Sequence, residues 1–321
     1  MTLNRTKTPH PHFDQWIIEW DDSYSGKYPK PPTGYSKQFD LQWKIALEGN
    51  KEYYNHSGAS VDDDYINDRI YEWTGKHPSG KGFKDKINCQ VLDHPLDVTL
   101  IKGKNCIDIG CGMGRWTRTM QTLGAADVLS IDASESAVKS VSRFNRNVAQ
   151  TNIMTIPEEH PEWVEQFDFA CFWGVAMCTH DPLNAFMSAA STVKKGGSLY
   201  LMVYCPEGMH NRRATNIQRK KFHNLETVEE RLKYVDHVAA RKWDWEYPFN
   251  ENIRNLLIRG GSLIFKSWKA GKIGYLDLLQ PYYNWVIPKH VISGWMKKAG
   301  FSSHRYLYKK PRSAYHVLAS K

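Results

Sequence analysis

Between Lys104 and Tyr204, short apolar runs alternate with amphipathic ones at helical spacing. KNCIDIG reads as a strand ending in glycines, and GRWTRTMQTLG as a helix closing on Gly124. DVLSID is a second strand, and SESAVKSVSRFNRNVAQ a second helix with Ser134 as its N-cap. NIMTI is expected to form a third strand. FDFACFWGV is a fourth, and its unbroken apolar run predicts burial on both faces. DPLNAFMSAASTVKKGG predicts a helix with a glycine stop, and SLYLMVY a fifth strand. Such alternation predicts an α/β fold, a parallel sheet with helices on both faces.

The flanks read differently. The first 35 residues are rich in Pro, His, Lys and Tyr and predict an extended arm with few helix signals. FDLQWKIALEG and DDDYINDRIYEWTG carry apolar side chains at i, i+3, i+4 and predict helices between Phe39 and Gly75. Residues 206–280 are polar, helical in pattern and basic, and are expected to form an insertion over the mouth of the sheet. PKHVISGWMKKAGF predicts a last helix, and HRYLYKK and SAYHVLASK two strands at the sheet edge. The expected organisation is an arm and helical extension over 1–100, a core over 101–205, an inserted helical lid over 206–280 and completion of the core over 281–321.

The longest apolar candidate, Phe169 to Cys178, is about half of the roughly 18 residues a membrane span needs. The first residues lack the apolar segment of a secretory signal. Six cysteines without a C-x-x-C pair argue against a zinc site and suit a reducing compartment, so the expected location is cytoplasmic and no metal is expected. The net charge of +9 favours anionic partners, either RNA or metabolites. Arg212, Arg213, Arg219, Lys220 and Lys221 concentrate that charge in the insertion.

The chemistry centres on Asp108-Ile109-Gly110-Cys111-Gly112-Met113-Gly114, directly after a strand and before a helix. Glycines there allow a tight turn and close backbone approach to a ligand, and the helix start offers unpaired N–H groups. The spacing is G-x-G-x-G, not the G-x-G-x-x-G of dinucleotide binders. A carboxylate two positions before the first glycine suits an ammonium group better than a pyrophosphate. Asp132 ends the next strand, where a carboxylate accepts from ribose hydroxyls. Ribose, ammonium and no phosphate point to S-adenosylmethionine.

IDIGCGMGRWT, with LSIDASESAV, FDFACFWGVAMCTHDPLNAF and VKKGGSLYLMVY, resembles the class I S-adenosylmethionine-dependent methyltransferases. FDLQW and LLQPYYNWVIPKHVISGWMKKAGF extend the likeness to a small-molecule-type group with an FGYQW-like opening and a GVLHHTPDP-like loop. The resemblance implies a Rossmann-like sheet, mostly parallel with its last strand antiparallel. It implies that Gly110, Cys111, Gly112, Met113 and Gly114 line the amino-acid tail of the cofactor, and that Asp108 orients the loop or the ammonium group. Asp132, Ala133 and Ser134 would hold ribose and adenine. Trp173 and Gly174 would shape the mouth through which the methyl group passes. An acid after the third strand is not evident; Glu158, Glu159 or a backbone contact could meet the adenine amino group.

Methyl transfer needs alignment above all, and a base only where the acceptor must lose a proton. His180 is the candidate base, since a neutral imidazole accepts a proton near pH 7. Tyr204, and Tyr282 or Tyr283, are candidates to position the acceptor. Trp43, Tyr53, Tyr54, Tyr65, Tyr71, Trp73, Trp243, Trp245, Trp268, Tyr282, Tyr283 and Trp285 fall outside the core pattern, and some of them are expected to line the lid. The expected function is methyl transfer to a small organic acceptor with S-adenosylhomocysteine as product. The alternatives are an RNA methyltransferase using a basic face and a non-catalytic cofactor-binding scaffold. Cys178 and Cys205 lack the proline context of cytosine-methylating cysteines, and no (N/D/S)-P-P-(Y/F) tetrad follows the fourth strand.

Overall fold

The computed structural model describes residues 19–47, 61–78, 80, 91–264, 272–311 and 313–321. Seven strands form one sheet: β1 Asn105–Ile109, β2 Asp127–Asp132, β3 Val148–Gln150, β4 Phe167–Trp173, β5 Val193–Tyr204, β6 Ser303–Tyr306 and β7 Ala314–Ser320. Their order is β3-β2-β1-β4-β5-β7-β6. The pairs among β1 to β5 are parallel, and β7 runs antiparallel to both its neighbours. This is the expected Rossmann-like methyltransferase sheet. The strand order turns back between β1 and β4, which opens a crevice at their carboxyl ends.

Twelve α-helices follow among the described residues. Three precede the sheet: α1 Gly34–Gln38, α2 Asp40–Leu47 and α3 Asp63–Thr74. Within the core lie α4 Arg115–Thr122, α5 Glu135–Val141, α6 Ile156–Glu159 and α7 Pro182–Ser191. Then come α8 Arg213–His223, α9 Val228–Ala239, α10 Phe249–Ile264, α11 Lys272–Leu279 and α12 Lys289–Lys298. The sheet's two faces bury separate cores. Ile107, Ile131, Phe172 and Leu201 belong to one, and Trp73, Trp116, Phe169 and Tyr200 to the other.

Three elements differ from the sequence pattern, each for a local reason. The helix after β2 stops at Val141, because the buried Asn145 amide donates to the carbonyls of Val128 and Asn147 and to Ser130 Oγ. A side chain so committed to backbone ends the helix rather than continuing it. The third strand is therefore Val148–Gln150, and NIMTI is not a strand: Asn152 Oδ1 accepts from Met154 N at 3.1 Å and starts a 3-10 turn. The fifth strand begins at Val193, not Ser198. Its glycines are no helix stop; Gly197 lies so close to the Asp168 carbonyl that an added Cβ would stand 2.9 Å from it.

The described part of the arm, from residue 19 onward, is built into the core. Trp20 is fully buried, its backbone N–H donates to Val286 O at 2.9 Å, and its ring meets Trp285 edge-on. Asp181 accepts from Ser25 Oγ and Gly26 N, both at 2.8 Å. The insertion carries a small core of its own: Phe222, Val235, Val238, Tyr275, Leu276 and Leu279 pack with Ile45 of α2. Arg219 is not part of a basic surface. It is buried and donates to the carbonyls of Leu278, Pro281 and Tyr282. Burial holds its pKa down at about 10. Tyr53, Tyr54 and Trp268 lie outside the described residues.

Candidate functional site

The turn after β1 is bent by glycines that no other residue replaces cheaply. Gly110 and Gly114 have φ of +74° and +87°. A Cβ on Gly110 would run into the Val175 side chain, and one on Gly114 would stand 2.5 Å from Phe144 Cζ. Gly112 lets Trp43 of α2 approach, with Trp43 Cζ2 3.0 Å from where its Cβ would be. The glycine loop is thus pressed from two sides, by α5 and its following turn and by the N-terminal extension.

Two buried carboxylates hold this loop. Asp108 accepts from Thr117 N at 2.8 Å and Thr117 Oγ1 at 2.7 Å, so it braces the first turn of α4. Burial raises its pKa to about 6 against the lowering effect of those bonds. It does not line the cavity; of the two expected roles, its contacts match orientation of the loop. Asp132 does line the cavity. Its Oδ2 accepts from Gly112 N at 2.9 Å and its Oδ1 from Ser134 N at 2.8 Å. A carboxylate has about four lone-pair sites, so these bonds leave capacity for a ligand. Burial raises the Asp132 pKa, opposed by the three backbone N–H groups of Ser134, Gly112 and Ala133.

A cavity of about 280 Å³ opens at the carboxyl ends of β1 and β4. Its sheet-side wall is Gly110 to Met113, Asp132, Ala133, Asn152, Ile153, Trp173 and Gly174. Its other wall comes from the helices: Tyr35, Phe39, Gln42 and Trp43 from the N-terminal region, Tyr65 and Arg69 from α3, and Ile273, Gly274 and Asp277 from α11. Arg115, Trp116, Val175, Cys178, Thr179 and Tyr204 complete it. The Arg115 guanidinium lies 3.9 Å from the Trp173 ring centroid and reaches Tyr65 Oη at 3.5 Å. Among the described residues no carboxylate pairs with it. Arg69, in contrast, is paired with the buried Glu72 at 2.6 Å.

The expected site residues separate into those the cavity gathers and those it does not. Gly110, Cys111, Gly112, Met113, Asp132, Ala133, Trp173, Gly174 and Tyr204 line it. Gly114 and Ser134 stand behind it; Ser134 caps α5, its Oγ accepting from Ala137 N at 3.3 Å. Glu158 sits on α6 away from the cavity. The residues beside the cavity after β3 are Asn152 and Ile153, hidden from the sequence pattern by the misplaced third strand. His180 does not line it either. Its backbone N–H donates to Tyr35 Oη at 2.8 Å, and its Nδ1 meets the same hydroxyl. Burial lowers the imidazole pKa. Tyr283 is removed from the site altogether: it is fully buried, donates to Pro29 O at 2.6 Å and stacks on Trp285. Of the aromatic residues expected in the lid, Trp43 and Tyr65 reach the cavity. Trp73 and Trp285 are core residues.

Arg115, Asp277, Gln42 and Tyr35 escaped the sequence reading. Asp277 had a signal, as the one acid in the apolar helix KIGYLDLL. Arg115 follows the last glycine of the loop and was legible as part of the motif, though not as a cavity residue.

A family profile described as a methyltransferase domain matches residues 86–271. A ubiquinone biosynthesis O-methyltransferase of Dictyostelium discoideum is 27% identical over 133 residues, 38% of this chain and 40% of that protein. A tRNA U34 carboxymethyltransferase of Pseudomonas aeruginosa is 24% identical over 197 residues, 56% of this chain and 55% of that protein. The chain thus spans between about two-fifths and just over half the length of these two relatives. Among solved structures, an S-adenosylmethionine-dependent methyltransferase from Archaeoglobus fulgidus superposes with a TM-score of 0.42 at 13% identity, covering 70% of this chain and 89% of that one.

Proposed function

The chain belongs to the methyltransferase-domain family, and from that membership we propose that it transfers the methyl group of S-adenosylmethionine to a small organic acceptor, leaving S-adenosylhomocysteine. The observation that carries the reading is the junction of glycine loop and Asp132. A carboxylate oriented by two loop N–H groups faces a cavity lined by Gly110 and Gly112, where backbone can approach a ligand closely.

The residues fit that cofactor. Asp132 would receive the ribose hydroxyls, with Ala133, Asn152 and Ile153 around the adenine. The backbone of Gly110 to Met113 would take the amino-acid tail. Arg115, which has a cation without a carboxylate, would take its carboxylate end. The bound cofactor supplies an electrophilic methyl group on a sulfonium, so no metal and no nucleophilic side chain are required of the protein. Trp173 and Gly174 would border the methyl group, and Tyr35, Thr179, Cys178 and Tyr204 the acceptor. Helices α2 and α11 would exclude water. His180 would act through Tyr35, by holding its hydroxyl, and not as a base on the acceptor.

Calorimetric titration with S-adenosylmethionine and S-adenosylhomocysteine tests this reading. Micromolar binding of both, lost in Asp132→Ala, is the expected result. Absence of binding to the folded protein would overturn it. The tRNA-modifying relatives favour a second reading, an RNA acceptor. That reading predicts binding that falls steeply with salt, and a flat response would remove it.

A further inference from the structure

On the helical wall of the cavity, two hydrogen-bond acceptors have almost nothing to receive. Gln42 of α2 is 3% exposed, and among the described residues its Oε1 has no partner. Its Nε2 points to Asp277 Oδ1 of α11 at 3.5 Å, a long and weak bond. The opposite amide orientation would set oxygen against carboxylate, so this one is the consistent choice. Among the described residues that contact is Asp277's only hydrogen bond, and no Lys, Arg or His pairs with it.

One cation acts on Asp277 without touching it: Arg115, whose guanidinium lies over the Trp173 ring. Burial raises the Asp277 pKa more than Arg115 lowers it. A buried acceptor without a donor costs about 1–3 kcal/mol, and more when charged. Such groups persist where a ligand supplies the missing donors. The ligand must then bring N–H groups and positive charge. A carboxylate or phosphate would meet two lone-pair-bearing groups and be repelled. Tyr35, Phe39 and Trp43 add aromatic surface, which also suits a cation.

We propose that Asp277 and Gln42 form the acceptor subsite of this cavity and that the acceptor is an amine, its nitrogen held by the Asp277 carboxylate and Gln42 Oε1. The inference rests on the methyltransferase reading of the cavity. An ammonium nitrogen gives one proton to Asp277. The lone pair so exposed forms the N–C bond as the C–S pair leaves with sulfur.

The test is calorimetry on the full chain in two stages. S-adenosylhomocysteine is titrated first, into wild type and Asp277→Asn. Phenethylamine and 3-phenylpropionate, matched in size and opposite in charge, are then titrated into the saturated proteins. The amine is expected to bind wild type about tenfold or more tighter than the carboxylate, as a charge-assisted pair requires. Asp277→Asn is expected to lose about that factor for the amine and to keep its S-adenosylhomocysteine affinity within about twofold. That retained affinity also shows the variant is folded. Failure of wild type to bind S-adenosylhomocysteine overturns the reading of the cavity itself. With that binding intact, carboxylate as tight as amine, or no amine binding up to about 10 mM where even a weak ~4 kcal/mol site would show, overturns the amine subsite. A variant that loses S-adenosylhomocysteine instead of amine assigns Asp277 to the cofactor's ammonium group and equally overturns it.

Discussion

The two walls of the cavity differ in how their hydrogen-bond acceptors are partnered. On the sheet side, Asp132 in the wall and Asp108 behind it are buried, and each accepts two hydrogen bonds from the protein. On the helical side, among the described residues, Gln42 Oε1 has no partner and Asp277 has one long contact. Nearby, Gln38 Nε2 and Gln280 Oε1 are also buried without a partner, although Gln280 Nε2 donates to Gln38 O. The sheet wall is organised before any ligand arrives. The helical wall is completed by what it binds. A rigid cofactor floor and an unsatisfied acceptor face divide the work of recognition between invariant and variable parts of the reaction.

The largest expected effect breaks the rigid wall. Gly114→Ala meets both a φ of +87° and the Phe144 ring. Strain and overpacking together are expected to cost about 2–5 kcal/mol, read as a lowered denaturation midpoint. A loss below about 1 kcal/mol would mean that α5 yields easily and the wall is less rigid than described.

Acid titration comes next. Buried His210 and His316 stay neutral down to about 3. Below the unfolded value near 6.5 the unfolded chain binds protons that the folded chain refuses, so stability falls as pH drops toward 3. Asp108, raised to about 6, acts in the opposite sense between about 4 and 6, where the folded chain holds the extra proton. Asp132, Asp277 and Glu72 are raised by burial as well and act with Asp108, so one histidine is isolated by substitution. Between pH 7.5 and pH 5, urea unfolding of His316→Gln should lose about 2 kcal/mol less than wild type, and equal losses would contradict it.

Arg115→Met sharpens the division between walls. Its loss is expected to weaken S-adenosylhomocysteine about tenfold and to leave 5′-methylthioadenosine, which lacks the amino-acid tail, within about twofold. Equal losses for both would detach Arg115 from the tail. The smallest effect falls outside both walls. Tyr283→Phe removes the bond to Pro29 O and is expected to cost about 1 kcal/mol of stability, with cofactor affinity unchanged.

The sheet wall was legible in the sequence because its determinants are local. Asp108 to Gly114 lie on one turn, and Asp132 ends the next strand, so spacing alone brings them together. The region after β3 was misread because Asn145 ends its helix through tertiary contacts that apolar periodicity does not carry. The helical wall was largely illegible. Gln42 and Asp277 are 235 residues apart and meet only because α2 packs against α11. Tyr283 misled for the converse reason: an aromatic near a predicted mouth looks the same in sequence whether it faces ligand or core.

The arm built into the core has a consequence for how the chain is made. Asp22 accepts from Trp295 Nε1, Pro29 from Tyr283 and Gln38 from Gln280, contacts that join positions 242 to 273 residues apart. The segment from Trp20 to Gln38 is made before its partners and must wait until residues 280–295 have been synthesised before it can dock. Closures of such span come late in folding and slow it. Until then Trp20, Tyr24 and Tyr28 stand exposed together. A nascent chain stalled before residue 280 should carry a sticky aromatic segment that chaperones would be expected to cover.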